Sequence, residues 1–188
     1  MENEQNKTDK NPSYSMMLAK VYFFYLLTFV IVFVLAGKIT YWQGWAFCGI
    51  YLLFIVIVSI KFADRKDFLA ERLKPGPGVK WWDKIFSRSY FFLTLCLLTV
   101  SVLDGGRFQW SPRLPAIIYA ISYVLIFSSF LFVLWAMWTN NFFSSRVRIQ
   151  TDKGQYVIQE GPYRFVRHPG YLGGIFWLIT MPLVLGSL

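Results

Sequence analysis

Apolar positions in this chain fall into long runs with almost no charge, set apart by polar and basic stretches. Each run is about the length that crosses a bilayer core of roughly 30 Å as a helix. The first run extends from Val21 to Gly37 and is followed by a tight turn, Lys38 to Gly44. The second extends from Trp45 to Ile60, so the two predict a helical hairpin. Trp42 and Trp45 stand where interfacial aromatic residues gather. A polar segment, Lys61 to Ser89, comes next and contains the stiff turn Pro75-Gly76-Pro77-Gly78 and the pair Trp81-Trp82. The third run, Tyr90 to Leu103, is short for a crossing, which predicts a helix that starts earlier, near Ile85. Asp104 to Arg113 reads as a short connection, with Gly105-Gly106 and Ser111-Pro112 as turn chemistry. The fourth run, Leu114 to Trp138, is long enough to cross at a tilt. A polar segment, Thr139 to His168, leads into a fifth apolar run from Tyr171 to Leu188.

The predicted fold is therefore all-α: a polytopic membrane helical bundle of about five transmembrane helices, with a small cytoplasmic hairpin or loop before the last one. It reads as a single membrane domain. Its parts are a polar tail (1–20), the hairpin (21–60), a long loop (61–89), two helices (90–138), a second loop (139–170) and the final helix (171–188).

Composition agrees. Of 188 residues, 56% are hydrophobic and 20% aromatic, and the mean hydropathy is +0.45. A soluble domain of this length has too much surface to hide so much apolar area, which excludes a soluble globular protein. The net charge of +9 would suit a nucleic-acid partner, but the basic residues lie almost wholly between the apolar runs. They number three in the tail, one in the first turn, eight in the long loop, two in the next connection and five in the last loop. This alternation of rich and poor segments places the N-terminus, the long loop and the last loop in the cytoplasm by the positive-inside rule. The first twenty residues are polar, and the apolar stretch after them lacks a small-residue cleavage site, so no cleavable signal is expected. The expected location is a multi-pass position in a prokaryotic plasma membrane. Cys48 and Cys96 both fall inside apolar runs and read as small core residues, not as a disulfide or metal pair. The first, second and fourth runs contain no charged residue, which disfavours a transporter or channel.

Chemistry concentrates in the last loop. Arg146 to Gln150 alternates polar and apolar residues, Asp152-Lys153-Gly154 offers a turn, and Gln155 to Gln159 continues with β-branched residues, a pattern that fits a small hairpin. An ordinary basic loop touching anionic lipid is the plain alternative. Thirteen residues from Gly161 to Gly173 then hold two arginines, the only histidine, two tyrosines and three glycines. Pro169 suits a helix that begins near Gly170. Arg167 and His168 would then stand at a helix N-terminus, which favours anions through backbone N–H groups and the helix dipole. Gly170, Gly173 and Gly174 leave room for close approach to the backbone.

The stretch from Gly161 to Gly173 resembles the motif shared by isoprenylcysteine carboxyl methyltransferases and related membrane methyltransferases, phospholipid N-methyltransferases among them. The resemblance extends upstream through Thr139-Asn140-Asn141-Phe142-Phe143-Ser144 and Val147-Arg148-Ile149-Gln150, and the entry to the hairpin, Gly37 to Trp45, also looks like bacterial members. It implies S-adenosylmethionine as methyl donor at the cytoplasmic face, no metal, and a lipid or lipidated acceptor arriving from the bilayer. It places Tyr163, Arg167, His168, Tyr171 and Gly173 around the cofactor, with Asn141 as a weaker candidate for the substrate and Arg146 and Arg148 as weaker candidates for an acidic acceptor or the cofactor carboxylate. It also implies a returning helix and an acidic tail after the Arg-His-Pro span. The sequence ends at Leu188 before either, so a fragment or a short form is expected.

In-line methyl transfer asks a protein mainly for alignment and exclusion of water. An acceptor carboxylate is already ionised at neutral pH and needs only positioning by arginine. An acceptor amine needs a base; histidine is the residue type that titrates near neutrality, and His168 is the only one. No catalytic residue is assigned. Two other readings stand beside this one: a sterol-reductase-like membrane enzyme using NADPH, and a non-catalytic membrane accessory protein.

Overall fold

The computed structural model describes residues 14–65, 68–69, 79–144 and 154–188. Five α-helices organise them: α1 (Tyr14–Ala36), α2 (Trp42–Lys61), α3 (Trp81–Val102), α4 (Ala116–Thr139) and α5 (Pro169–Val184). A π-helical turn, Leu103–Phe108, prolongs α3, and a 3-10 turn, Gly161–Arg164, precedes α5. No strand occurs among the described residues, and the all-α expectation holds. Residues 155–159, the expected second arm of a hairpin, have no regular structure. The Pro75–Gly78 turn, Arg146 and Arg148 lie outside the described residues.

Four helices are long and apolar enough to cross a membrane: α1, α2, α3 with its π turn, and α4. The fifth, α5, has 16 residues and spans about 24 Å at 1.5 Å per residue, short of a full crossing. Most of the apolar surface is open, with Phe23, Phe91, Val34 and Val124 each more than 60% exposed. An apolar exterior of this kind suits lipid as the surrounding solvent, and the chain is an integral membrane protein by this criterion.

All the helices but α4, which starts at Ala116, start earlier than their apolar runs do. α1 begins at Tyr14, inside the stretch read as a polar tail, because Met16, Met17, Leu18 and Ala19 are good helix formers and exposed Lys20 can extend its ammonium toward water. The Tyr14 hydroxyl donates to the Ser59 carbonyl at 2.7 Å, pinning the start of α1 to the end of α2. α3 begins at Trp81, ahead of the expected Ile85, with Asp83 in its first turn where an acid suits the helix dipole. Lys84 and Arg88 are exposed, so their charges stay outside as the helix runs beyond the apolar run, whereas Asp83 beside them is buried.

The segment Asp104–Phe108, read as a connection, is helical. Its glycines serve close packing: a Cβ on Gly106 would stand 2.9 Å from the Ala36 Cβ, and one on Gly105 would collide with the Leu185 carbonyl. The π turn closes with the Gln109 N–H donating to the Asp104 carbonyl at 2.6 Å. Gln109 then ends it in a left-handed conformation, φ 53°.

The contiguous hydrophobic core lies toward one end of the bundle. It joins Val32 and Ala36 of α1, Phe47 and Cys48 of α2, Leu98 and Val102 of α3, Ile126 of α4, and Met181 and Val184 of α5, with Tyr41 and Leu185. At this end the exit of α5 is held on several sides. The Asp104 carboxylate accepts from the Ser111 N–H (2.7 Å), the Ser111 hydroxyl and the Ser187 hydroxyl (2.7 Å). Tyr41 donates to the Leu185 carbonyl and Tyr123 to the Val184 carbonyl at 3.0 Å. Burial pushes the Tyr41 phenol well above its ordinary range, so it stays a donor. The opposite end, where α5 begins, carries the Arg-His-Pro motif.

Candidate functional site at the start of α5

The motif is pressed onto the end of α4 by its first glycine. Gly161 has φ +55°, and a Cβ there would come within 2.6 Å of the Thr139 hydroxyl and 3.1 Å of the Trp135 indole nitrogen. Neither the conformation nor the space admits another residue easily. Pro162 is buried in the 3-10 turn, and its carbonyl accepts the N–H groups of Phe165 and Val166, both at 3.1 Å.

Asn140 ties the turn in place. It caps the C-terminus of α4, its Oδ1 accepts the Phe142 N–H at 2.8 Å, and its Nδ2 donates to the Tyr163 hydroxyl at 2.9 Å. One side chain thus closes its own local turn and fixes Tyr163. The neighbouring Asn141 faces α2, accepting a hydrogen bond from the Arg65 guanidinium at 3.2 Å.

His168 is the N-cap of α5 and Pro169 the first helical residue, as the proline rule anticipates. The His168 carbonyl accepts from the N–H groups of Tyr171 (3.1 Å) and Leu172 (3.2 Å). Proline has no N–H, so this helix start offers an anion fewer backbone donors than an open one does. The anion attraction expected here therefore falls mainly to the side chain of Arg167, which is exposed. The imidazole of His168 is exposed too, its ring centroid 5.6 Å from that of Tyr171 and tilted at 41°.

Of the residues predicted for the cofactor, Arg167, His168 and Tyr171 come together as open side chains at the start of α5. Tyr163 is half-buried in the preceding turn. Gly173 is buried against α4, where a Cβ would meet Val133 and lie 3.3 Å from the Ser129 carbonyl. It lines an apolar groove of about 230 Å³ between α4 and α5, together with Leu125, Ser129, Phe132 and Phe176. No metal-binding group of histidine, cysteine or acidic residues occurs among the described residues.

Two features escaped the sequence reading. Asp83 is 2% exposed in the first turn of α3. One turn on, the Phe86 ring packs edge-on against Tyr171 at 6.2 Å. The spacing Asp83, Phe86, Tyr90 marks one helical face and was the available signal. Arg65 gave none, being one basic residue among eight in its loop.

The site thus sits in an all-helical membrane protein, at the bundle end opposite the main core, built from the ends of α2 and α4 and the starts of α3 and α5. The family model described as the isoprenylcysteine carboxyl methyltransferase (ICMT) family matches residues 118–188, a stretch that holds nearly all of α4, the 3-10 turn and α5. Over this stretch the chain is similar to that family. Comparisons with curated proteins and with solved structures returned no match.

Proposed function

We propose that this chain is an S-adenosylmethionine-dependent methyltransferase acting on a lipid-linked or membrane-embedded acceptor at the cytoplasmic membrane face. The observation that carries the reading is the exposed pair His168 and Tyr171 at the start of α5, inside the family-matched stretch. The side chains fit the cofactor in kind. Arg167 is a cation for its carboxylate, and the rings of His168, Tyr171 and Phe86 are flat surfaces for its adenine or sulfonium. When bound, S-adenosylmethionine supplies an electrophilic methyl group on a sulfonium.

The protein's own part is alignment and dryness. Tyr163 is held by Asn140, which fixes the floor before Arg167. Gly173 lets α5 approach α4 closely, and the groove beside it is an apolar lane open to lipid. Asn141, Arg146 and Arg148 are assigned to the acceptor side. An acceptor carboxylate is favoured, since it reacts as the anion and asks only for a positioned cation; an amine would need a base, and His168 is the available imidazole.

The test is incorporation of tritiated methyl from S-adenosylmethionine into membrane lipid by bilayers that contain the chain. Base-labile label would mark a methyl ester and base-stable label an N-methyl group. Incorporation no higher than in empty bilayers, with the chain present and folded, would remove the proposal.

A further inference from the structure

We propose that Arg65 is a recognition point for the oxyanion of a lipid at the motif end of the bundle, a carboxylate or a phosphate. As acceptor recognition the proposal rests on the methyl-transfer reading; as a binding site it stands alone.

Arg65 follows α2 directly. Its guanidinium lies 4.6 Å from the centroid of the Trp138 ring and donates through one N–H to Asn141. Beneath it, Phe62 is fully buried, its ring 5.7 Å from Trp138 and 5.2 Å from Phe68. The guanidinium is therefore held between an aromatic base and Asn141. A guanidinium presents five N–H donors, and among the described residues this one spends a single donor on a protein acceptor. Asp64 next door is exposed.

A structural clamp between α2 and α4 alone would not call for arginine, since a neutral amide could donate to Asn141. Arginine adds a planar fork matched to carboxylate and phosphate oxygens, already held by Trp138 and Asn141 and so bound at low entropic cost. Its place fits as well. Asn141 adjoins Asn140, which holds Tyr163, so an anion on Arg65 lies two side chains from the proposed site. Trp138 and Lys61 close the ends of α4 and α2 at the level where headgroups lie.

The experiment uses the full chain purified in neutral maltoside detergent. Binding of dioctanoyl phosphatidate, decanoate and dioctanoylglycerol is measured for wild type, Arg65→Gln and Arg65→Lys, with S-adenosylmethionine titrated into the same samples. Arg65→Gln should weaken whichever oxyanion binds by at least tenfold, and Arg65→Lys should fall between. Dioctanoylglycerol should be unaffected. Preference for phosphatidate over decanoate identifies the phosphate as the ligand, and the reverse preference the carboxylate. Binding of both oxyanions within twofold of wild type in Arg65→Gln overturns the proposal. So does an equal loss for the neutral lipid, which would show a structural clamp. If S-adenosylmethionine fails to bind wild type while the oxyanion result holds, the methyl-transfer reading fails and the anion site remains.

Discussion

Replacing Asp104 by alanine should loosen the whole exit of α5. Asp104 is 4% exposed and accepts three hydrogen bonds, from the Ser111 N–H, the Ser111 hydroxyl and the Ser187 hydroxyl. Hydrogen bonds to a charged acceptor contribute about 1.5–3 kcal/mol each, so the gross loss is on the order of 5–9 kcal/mol. Several kcal/mol come back because a carboxylate no longer has to be desolvated. The two hydroxyls can also turn toward other acceptors, whereas the Ser111 N–H cannot. A net cost of about 3 kcal/mol remains, and at roughly 2–4 °C per kcal/mol for a chain of this size the midpoint should fall by about 10 °C. Thermal unfolding in detergent, followed by tryptophan fluorescence, reads this directly. Ser187→Ala removes one of the three bonds and should cost about 1 kcal/mol. Its effect should largely vanish in the Asp104→Ala background, because the two share one interaction. A midpoint within about 2 °C of wild type for Asp104→Ala, or full additivity of the pair, would refute the claim that this carboxylate holds α5.

Gly173→Val should separate α5 from α4, since even a Cβ meets Val133 there; overpacking of this kind costs about 1–3 kcal/mol and is read from the same melting curve. Asn140→Ala frees Tyr163 and opens the local turn, with a stability loss of about 1–2 kcal/mol and a larger fall in methyl transfer than Tyr163→Phe produces. Cysteine placed at Lys38 should be labelled only from outside intact cells, and cysteine at Lys84 only after permeabilisation; the opposite pattern would invert the proposed orientation.

The span plan was legible because charge-free runs of bilayer length have one structural meaning in an integral membrane protein. Pro169 after His168 likewise announced the start of α5. Helix starts were harder to read. Lys20, Lys84 and Arg88 look like loop residues by charge, yet they ride on helices that extend beyond the apolar runs. Gly105-Gly106 reads locally as a turn, and only tertiary packing on Leu185 and Ala36 shows why small residues stand there. The same limit hides Phe86, whose ring partner Tyr171 lies far along the chain, and Arg65, whose partner Asn141 belongs to another helix end.

The central claim is tested most directly by titrating S-adenosylmethionine into the purified chain by calorimetry, with NADPH and His168→Ala as controls. Saturable binding of S-adenosylmethionine is expected, weakened at least tenfold by His168→Ala, with none of NADPH. Saturable NADPH binding without S-adenosylmethionine binding, or S-adenosylmethionine binding indifferent to His168→Ala, would contradict it.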